Sequence, residues 1–140
     1  MALFGDNNII YVGAYNFSTQ HSRTSSSWYG LWSTSYTPRS ATSEVWVLGG
    51  ISVLAENSNQ ADHRMTMGSN TGQVIDHACN AGSLSGWCQF HTANAWFLGT
   101  TNNTSSRTIT LDIRSDGSNW CYWNYDGSYS YILLLEVENV

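Results

Sequence analysis

Between Arg107 and Arg114 the chain alternates with a period of two. Ile109, Leu111 and Ile113 fall on one face, and Thr108, Thr110, Asp112 and Arg114 fall on the other. Only an extended strand with one covered side calls for that pattern, because successive side chains of a strand point to opposite faces. No stretch of the sequence shows the helical period. Strand signals bounded by turn residues recur instead: 9–15, 24–35, 44–54, 62–68, 73–79, 87–97 with a bend expected near Asn94, 119–124 and 128–138. Ser69-Asn70-Thr71-Gly72 joins one pair, and Asp116-Gly117 and Asp126-Gly127 mark the corners of an expected closing meander. About eight strands in 140 residues predict an all-β fold, an antiparallel β-sandwich of jelly-roll type. Residues 21–140 read as the jelly-roll domain, and residues 1–20 as an N-terminal segment available as an assembly arm. No fixed-period repeat points to a propeller or solenoid.

Composition supports strands and turns. The chain is rich in Ser, Thr, Asn and Gly, carries 7 Trp and 8 Tyr, and has a single proline, Pro38. Charged residues are 11% of the chain, lysine is absent, and 5 arginines stand against 10 acids for a net charge of -5. That balance excludes the clustered basic footprint that nucleic acid or an anionic membrane requires. No run approaches the roughly 18 apolar residues of a spanning helix. Three cysteines, Cys79, Cys88 and Cys121, form neither a disulfide framework nor a C-x-x-C zinc pattern and read as small buried hydrophobes. The start, Met1-Ala2-Leu3-Phe4-Gly5-Asp6, lacks the basic and apolar regions of a signal peptide, which predicts synthesis in a cytosol.

Two segments are apolar on both faces. In 44–54, Val45, Val47, Ile51 and Val53 oppose Trp46, Leu48 and Leu54. In 128–138, Tyr129, Tyr131, Leu133, Leu135 and Val137 oppose Ile132 and Leu134. A sandwich strand has one side to the core and one to water. A second apolar side needs its own cover, either a shielding loop or another subunit. The sequence favours a subunit interface formed by Trp46, Leu48, Ile132 and Leu134.

Catalytic constellations are sought in vain. Gly82-Ser83-Leu84-Ser85-Gly86 puts leucine where a hydrolase elbow needs its nucleophile. Glu44, Glu56, Glu136 and Glu138 lie at strand ends, where a solvated role is expected rather than a catalytic pair. His63, His77 and His91 recur at equal spacing and could converge on a metal, but scattered or hydrogen-bonded histidines are the plainer reading. No enzyme, metal or cofactor is expected. Trp120, Tyr122, Trp123 and Tyr125, beside the two Asp-Gly turns, are candidates for stacking on the sugar rings of a glycan, with the alternative that some of them fill the core.

The strand order carries a resemblance. Ser25-Ser26-Ser27-Trp28 leads to Val45-Trp46-Val47-Leu48-Gly49-Gly50-Ile51-Ser52. His63-Arg64-Met65, Thr108-Ile109-Thr110-Leu111-Asp112-Ile113 and Leu133-Leu134-Leu135-Glu136-Val137 follow. This texture, over roughly residues 20–138, resembles the small jelly-roll modules of tailed-phage virions, which serve as head decoration proteins, fibre tips or baseplate parts with a tumour-necrosis-factor-like trimeric build. The resemblance implies a non-enzymatic virion protein made in the host cytoplasm. It would form a homotrimer on the major capsid protein as a decoration or cement protein, with Phe4, Ile9, Trp46, Leu48, Ile132 and Leu134 against sister subunits and shell. The alternative it implies is a fibre or baseplate tip that binds a host glycan.

Overall fold

A computed structural model describes residues 8–56, 60–71, 75–78, 87–115 and 119–138. Eleven strands are found there: β1 (Asn8–Phe17), β2 (His21–Arg23), β3 (Tyr29–Tyr36), β4 (Glu44–Glu56), β5 (Gln60–Met67), β6 (Asn70–Thr71), β7 (Ile75–Ala78), β8 (Trp87–Thr100), β9 (Arg107–Ser115), β10 (Cys121–Trp123) and β11 (Ser130–Glu138). All pairings are antiparallel.

The strands make two sheets, one of six and one of five. In the larger, β8 pairs along the whole of β4, from Glu44↔Thr100 to Glu56↔Trp87. The opposite edge of β4 is therefore shared, by β11 along Glu44–Gly50 and by β10 along Val53–Ala55. β1 continues outward from β11, and β2 from β10. In the smaller sheet β3 pairs β9, β9 pairs β5, and β5 carries β6 and β7 on its free edge. Eleven strands thus fall into eight rows, four per sheet. The first row pairs with the last, β3 with β9, β4 with β8, and β5 with β6 and β7. This is a long antiparallel hairpin rolled onto itself, the jelly roll expected from the strand count.

Three local expectations change. Residues 8–17, expected in an arm ahead of the domain, are β1 and hydrogen-bond along β11. Tyr11 and Tyr15 pack against the core and Gly13 is buried, which makes β1 an integral edge row. The closing segments do not form a meander: β9 lies in the other sheet, and β10 and β11 are two ends of one row. A 3-10 turn, Tyr125–Gly127, makes the jog between them. In β8 the register shifts between Phe97 and Gly99, while Asn94 stays in regular pairing with Gly49.

The core lies between the sheets. Val45, Val47, Ile51 and Val53 of β4 enter from one side, with Ile132 and Leu134 of β11 and Trp96 of β8. Ile109, Leu111, Ile113, Met65 and Met67 enter from the other. Polar groups are buried with them. Trp123 Nε1 donates to His63 Nε2 across the sandwich at 2.7 Å. Glu136 is fully buried, against the solvated role expected of it. Its position inside follows from the alternation of β11, which sends Ile132, Leu134 and Glu136 inward together.

The 39–43 loop supplies what that carboxylate needs. The N–H groups of Arg39 (2.9 and 3.0 Å) and Ser40 (3.0 Å) and the Ser43 hydroxyl (2.5 Å) all donate to it. Burial pushes its pKa up, but the Ser43 and Tyr36 hydroxyls and the two backbone donors together outweigh burial and hold it below the ordinary 4.5. A depressed folded pKa means stability that is present above the unfolded value and lost as pH falls through the folded one. Urea unfolding is therefore expected to show a stability that is constant with respect to this group above about pH 5.5 and declines below about pH 4.5. Glu136→Ala, which leaves several donors without an acceptor, is expected to cost about 2–4 kcal/mol at neutral pH and to flatten part of that acid-side decline.

Candidate functional site

The pairing that fixes the core also fixes what the larger sheet turns outward. Residues directly opposite on neighbouring strands share a face. Three outward rows cross the sheet: Val12–Leu135–Trp46–Phe97, Ala14–Leu133–Leu48–Ala95 and Asn16–Tyr131–Gly50–Ala93. None of these twelve positions is charged, and beyond the Tyr131 hydroxyl and the Trp46 indole N–H only Asn16 carries a polar side-chain group. Val12 is 56% exposed, Phe97 45% and Tyr131 57%. Trp46 and Phe97 pack with ring centroids 4.9 Å apart, and the Trp46 indole N–H donates to Glu44 at the rim (3.2 Å).

The middle of this face is hollow because its residues are small. Ala93 and Ala95, with Leu48 and Leu133, line a trough of about 420 Å³ walled by Tyr131. The Tyr131 ring lies across Gly50 so closely that a Cβ there would stand 2.2 Å from its Cε1. Any side chain at Gly50 would lift the ring and reshape the trough.

The opposite outer face differs in kind. On β5 and β9, Asp62 meets Arg114 (2.6 Å) and Arg64 meets Asp112 (2.8 Å), with Thr66 opposite Thr110. The Trp28 ring lies against both guanidinium groups, at 4.4 and 4.5 Å. The remaining arginines are likewise engaged within the chain. Arg23 stacks on Tyr29, Arg39 approaches Tyr11, and Arg107 donates to Thr101 and Asn103. Among the described residues, then, charge is gathered into internal contacts and the larger sheet presents apolar surface.

The expected interface residues divide. Trp46 and Leu48 lie on the outer face, half-buried, and Ile9 is exposed beside it. Ile132 and Leu134 do not: opposite Gly49 and Val47, they point into the sandwich and are buried. The outward face of β11 carries Tyr131 and Leu133, with Leu135 and Val137 on the same side by alternation but buried. Alternation groups these four, and only pairing to β4 says which side they face. Phe4 lies outside the described residues.

The four aromatic candidates also divide. Trp123 is wholly buried and bonded to His63. Trp120, Tyr122 and Tyr125 gather at the β10 end of the sheet. Trp120 stacks on Tyr122 (5.9 Å, 27°), and Tyr125 meets Tyr122 nearly edge-on (5.5 Å, 67°). Of the histidines, His63 is in the core, while the side chains of His77 and His91 lie outside the described residues. No group of three His, Cys, Asp or Glu able to hold a metal occurs among the described residues. Cys121 is buried, as expected of a small hydrophobe.

No protein-family model and no curated protein matches the chain. Among solved structures it superposes on the infectious bursal disease virus VP2 subviral particle with a TM-score of 0.51 at 15% identity, covering 94% of this chain and 38% of that one. It also aligns with dimeric latent PorU from Porphyromonas gingivalis (TM-score 0.49, 8% identity, 94% of this chain and 13% of that one). A third alignment is with the Gx strain of infectious bursal disease virus (TM-score 0.47, 17% identity, 94% and 33%). The VP2 likeness shows the fold, an antiparallel sandwich resembling a viral capsid jelly-roll domain. It is not a likeness specific to tailed phages.

Because Trp123 works in the core, its loss should register in stability alone. Trp123→Phe removes the N–H given to buried His63 and leaves a cavity where the larger indole stood, and urea unfolding is expected to show a loss of about 2–4 kcal/mol.

Proposed function

We propose that the chain is a non-enzymatic virion structural protein, a homotrimeric capsid decoration subunit of a phage, that associates through the outer face of its larger sheet. The observation that carries this reading is the uncharged twelve-position face, with its exposed Val12, Phe97 and Tyr131 around a small-residue trough. The VP2-like fold is consistent with it, and the phage part of the reading rests on the resemblance of the strand texture alone.

Magnitudes support a second copy of the chain as the first occupant. At strand and residue spacings of about 4.8 and 3.3 Å, three rows across four strands cover about 400 Å². That is half of the roughly 800 Å² each partner contributes to a standard interface. At about 25 cal/mol per Å² its burial contributes on the order of 10 kcal/mol gross. Association opposes this with an estimated 4–15 kcal/mol. The face alone therefore supports reversible association, and the rim around Ile9 and the shell supply the rest. The partner is apolar rather than basic or acidic, because neither sign of charge is presented. Once several copies sit on a shell, the second contact becomes intramolecular and the assembly tightens without new chemistry.

Size-exclusion chromatography with light scattering tests the reading across a hundredfold concentration range. The wild-type chain is expected to reach a trimer mass at the upper end. Trp46→Asp with Leu133→Asp is expected to remain monomeric while keeping wild-type far-ultraviolet dichroism. Ser33→Asp, on the smaller sheet, should assemble normally. A wild-type chain that stays monomeric throughout would overturn the self-association reading.

A further inference from the structure

At the other end of the outer face, beyond the trough, β10 alternates Cys121 inward, Tyr122 outward and Trp123 inward. Tyr122 stands between Leu54 of β4 and Ser22 of β2. Trp120, 46% exposed, lies nearly parallel to it, and Tyr125, 39% exposed, closes the far side. The result is a ledge of three touching rings, wet on one surface.

The ledge is held from below. Asn124, at φ 54°, is buried, receives the Ser130 hydroxyl (2.6 Å), and donates its side-chain amide to the Thr19 carbonyl (3.1 Å) and its backbone N–H to Ser52 (3.1 Å). Asp126 and Gly127 follow, also at positive φ, so the turn that carries Tyr125 is tightly determined. Rings fixed in this way lose little freedom when something settles on them.

We propose that this ledge binds a neutral pyranose of a glycan, with Trp120 as the platform and Tyr122 and Tyr125 as its edge. The occupant must offer an apolar flat side to the rings and hydroxyls to the water around them. A sugar ring has that division of surfaces, and aromatic residues with one apolar and one wet side suit it. A cation is the other species that aromatic rings attract, and its cages need ring faces converging on one point. Here the Trp120 and Tyr122 planes lie within 27° of parallel, so their faces do not converge on one point as a cage requires. Acidic sugars lack a counter-charge. The cation nearest by register, Arg23, lies opposite Cys121 on the inward side and is stacked on Tyr29. The ledge lies on the same sheet but beyond the twelve positions assigned to assembly, and its test reads sugar binding rather than mass, so the two readings fail distinguishably.

The test is titration of the intact chain with lactose, chitotriose, maltotriose, mannotriose and sialyllactose, read by tryptophan fluorescence and by saturation-transfer NMR. At least one neutral probe is expected to bind saturably, with a dissociation constant between about 0.1 and 5 mM, as a single-ledge site implies. Sialyllactose should bind more weakly than lactose if lactose is the binder. Trp120→Ala and Tyr125→Ala should each weaken binding at least about tenfold, whereas Trp28→Ala, a tryptophan on the other sheet, should leave it unchanged. Absence of saturable binding to every neutral probe would overturn the proposal. So would binding that Trp120→Ala leaves intact, or binding of an arginine-rich peptide to the ledge in place of sugar.

Discussion

The ladder between β11 and β4 decides the character of every surface in this molecule. Both strands are apolar on both sides, so hydrophobicity alone barely distinguishes one setting of β11 from the setting one residue away. A slip of one residue would exchange the two faces completely. Leu133, Leu135 and Val137 would enter the core, and Ile132 and Leu134 would leave it. Glu136 breaks that near-degeneracy. In the observed register it meets two backbone N–H groups and the Ser43 hydroxyl inside the sandwich. In the shifted register those donors would face an apolar side chain, and unmet buried donors cost about 1–3 kcal/mol each. Buried polar groups that select a register are an attested device, and this one acts where apolar packing gives no preference. Ser130 reinforces it from the other end of the strand, accepting from Ser52 N–H and donating to Asn124.

Once the register is set, the two outer faces follow. The smaller sheet turns out threonines and two ion pairs covered by Trp28, a surface that satisfies itself. The larger turns out Val12, Trp46, Leu48, Leu133, Phe97 and Tyr131. With no lysine in the chain and each arginine held by an internal partner, electrostatics does little to direct docking. Shape and apolar area remain, which is why a trough lined by Ala93 and Ala95, with Gly50 beneath its Tyr131 wall, matters more than any charged pair. The same glycine and alanine residues that weaken a strand in isolation leave room for a neighbour's side chain.

Much of the fold was legible in the sequence. The clean alternation of residues 107–114 marks β9, the double apolar signal marks β4 and β11, and the turn signal after residue 68 falls where β5 turns at Gly68–Ser69 into β6. The eight-row roll follows from that spacing. What the sequence withheld is the direction of the two-faced strands. Tyr131, Leu133, Leu135 and Val137 are grouped correctly by period, but period two does not say which group is inside when both are apolar. Ile132 and Leu134, expected at a subunit interface, therefore lie in the core. Glu136 was hidden for a related reason: a glutamate near a strand end ordinarily reaches water, and only the folded 39–43 loop provides its four donor contacts. Trp123 and Tyr122 illustrate the opposite case, since alternation separates them and the structure puts one in the core and the other on the ledge.

The account rests on the larger sheet's outer face being a contact surface between copies. Hydroxyl-radical footprinting of the wild-type chain at low and high concentration, read residue by residue, measures this on the unmodified protein. Concentration is predicted to protect Trp46, Leu48, Tyr131 and Phe97 together, while Trp28 on the other sheet keeps its reactivity. Equal reactivity of these residues at both concentrations, or protection centred on Trp28, would contradict it.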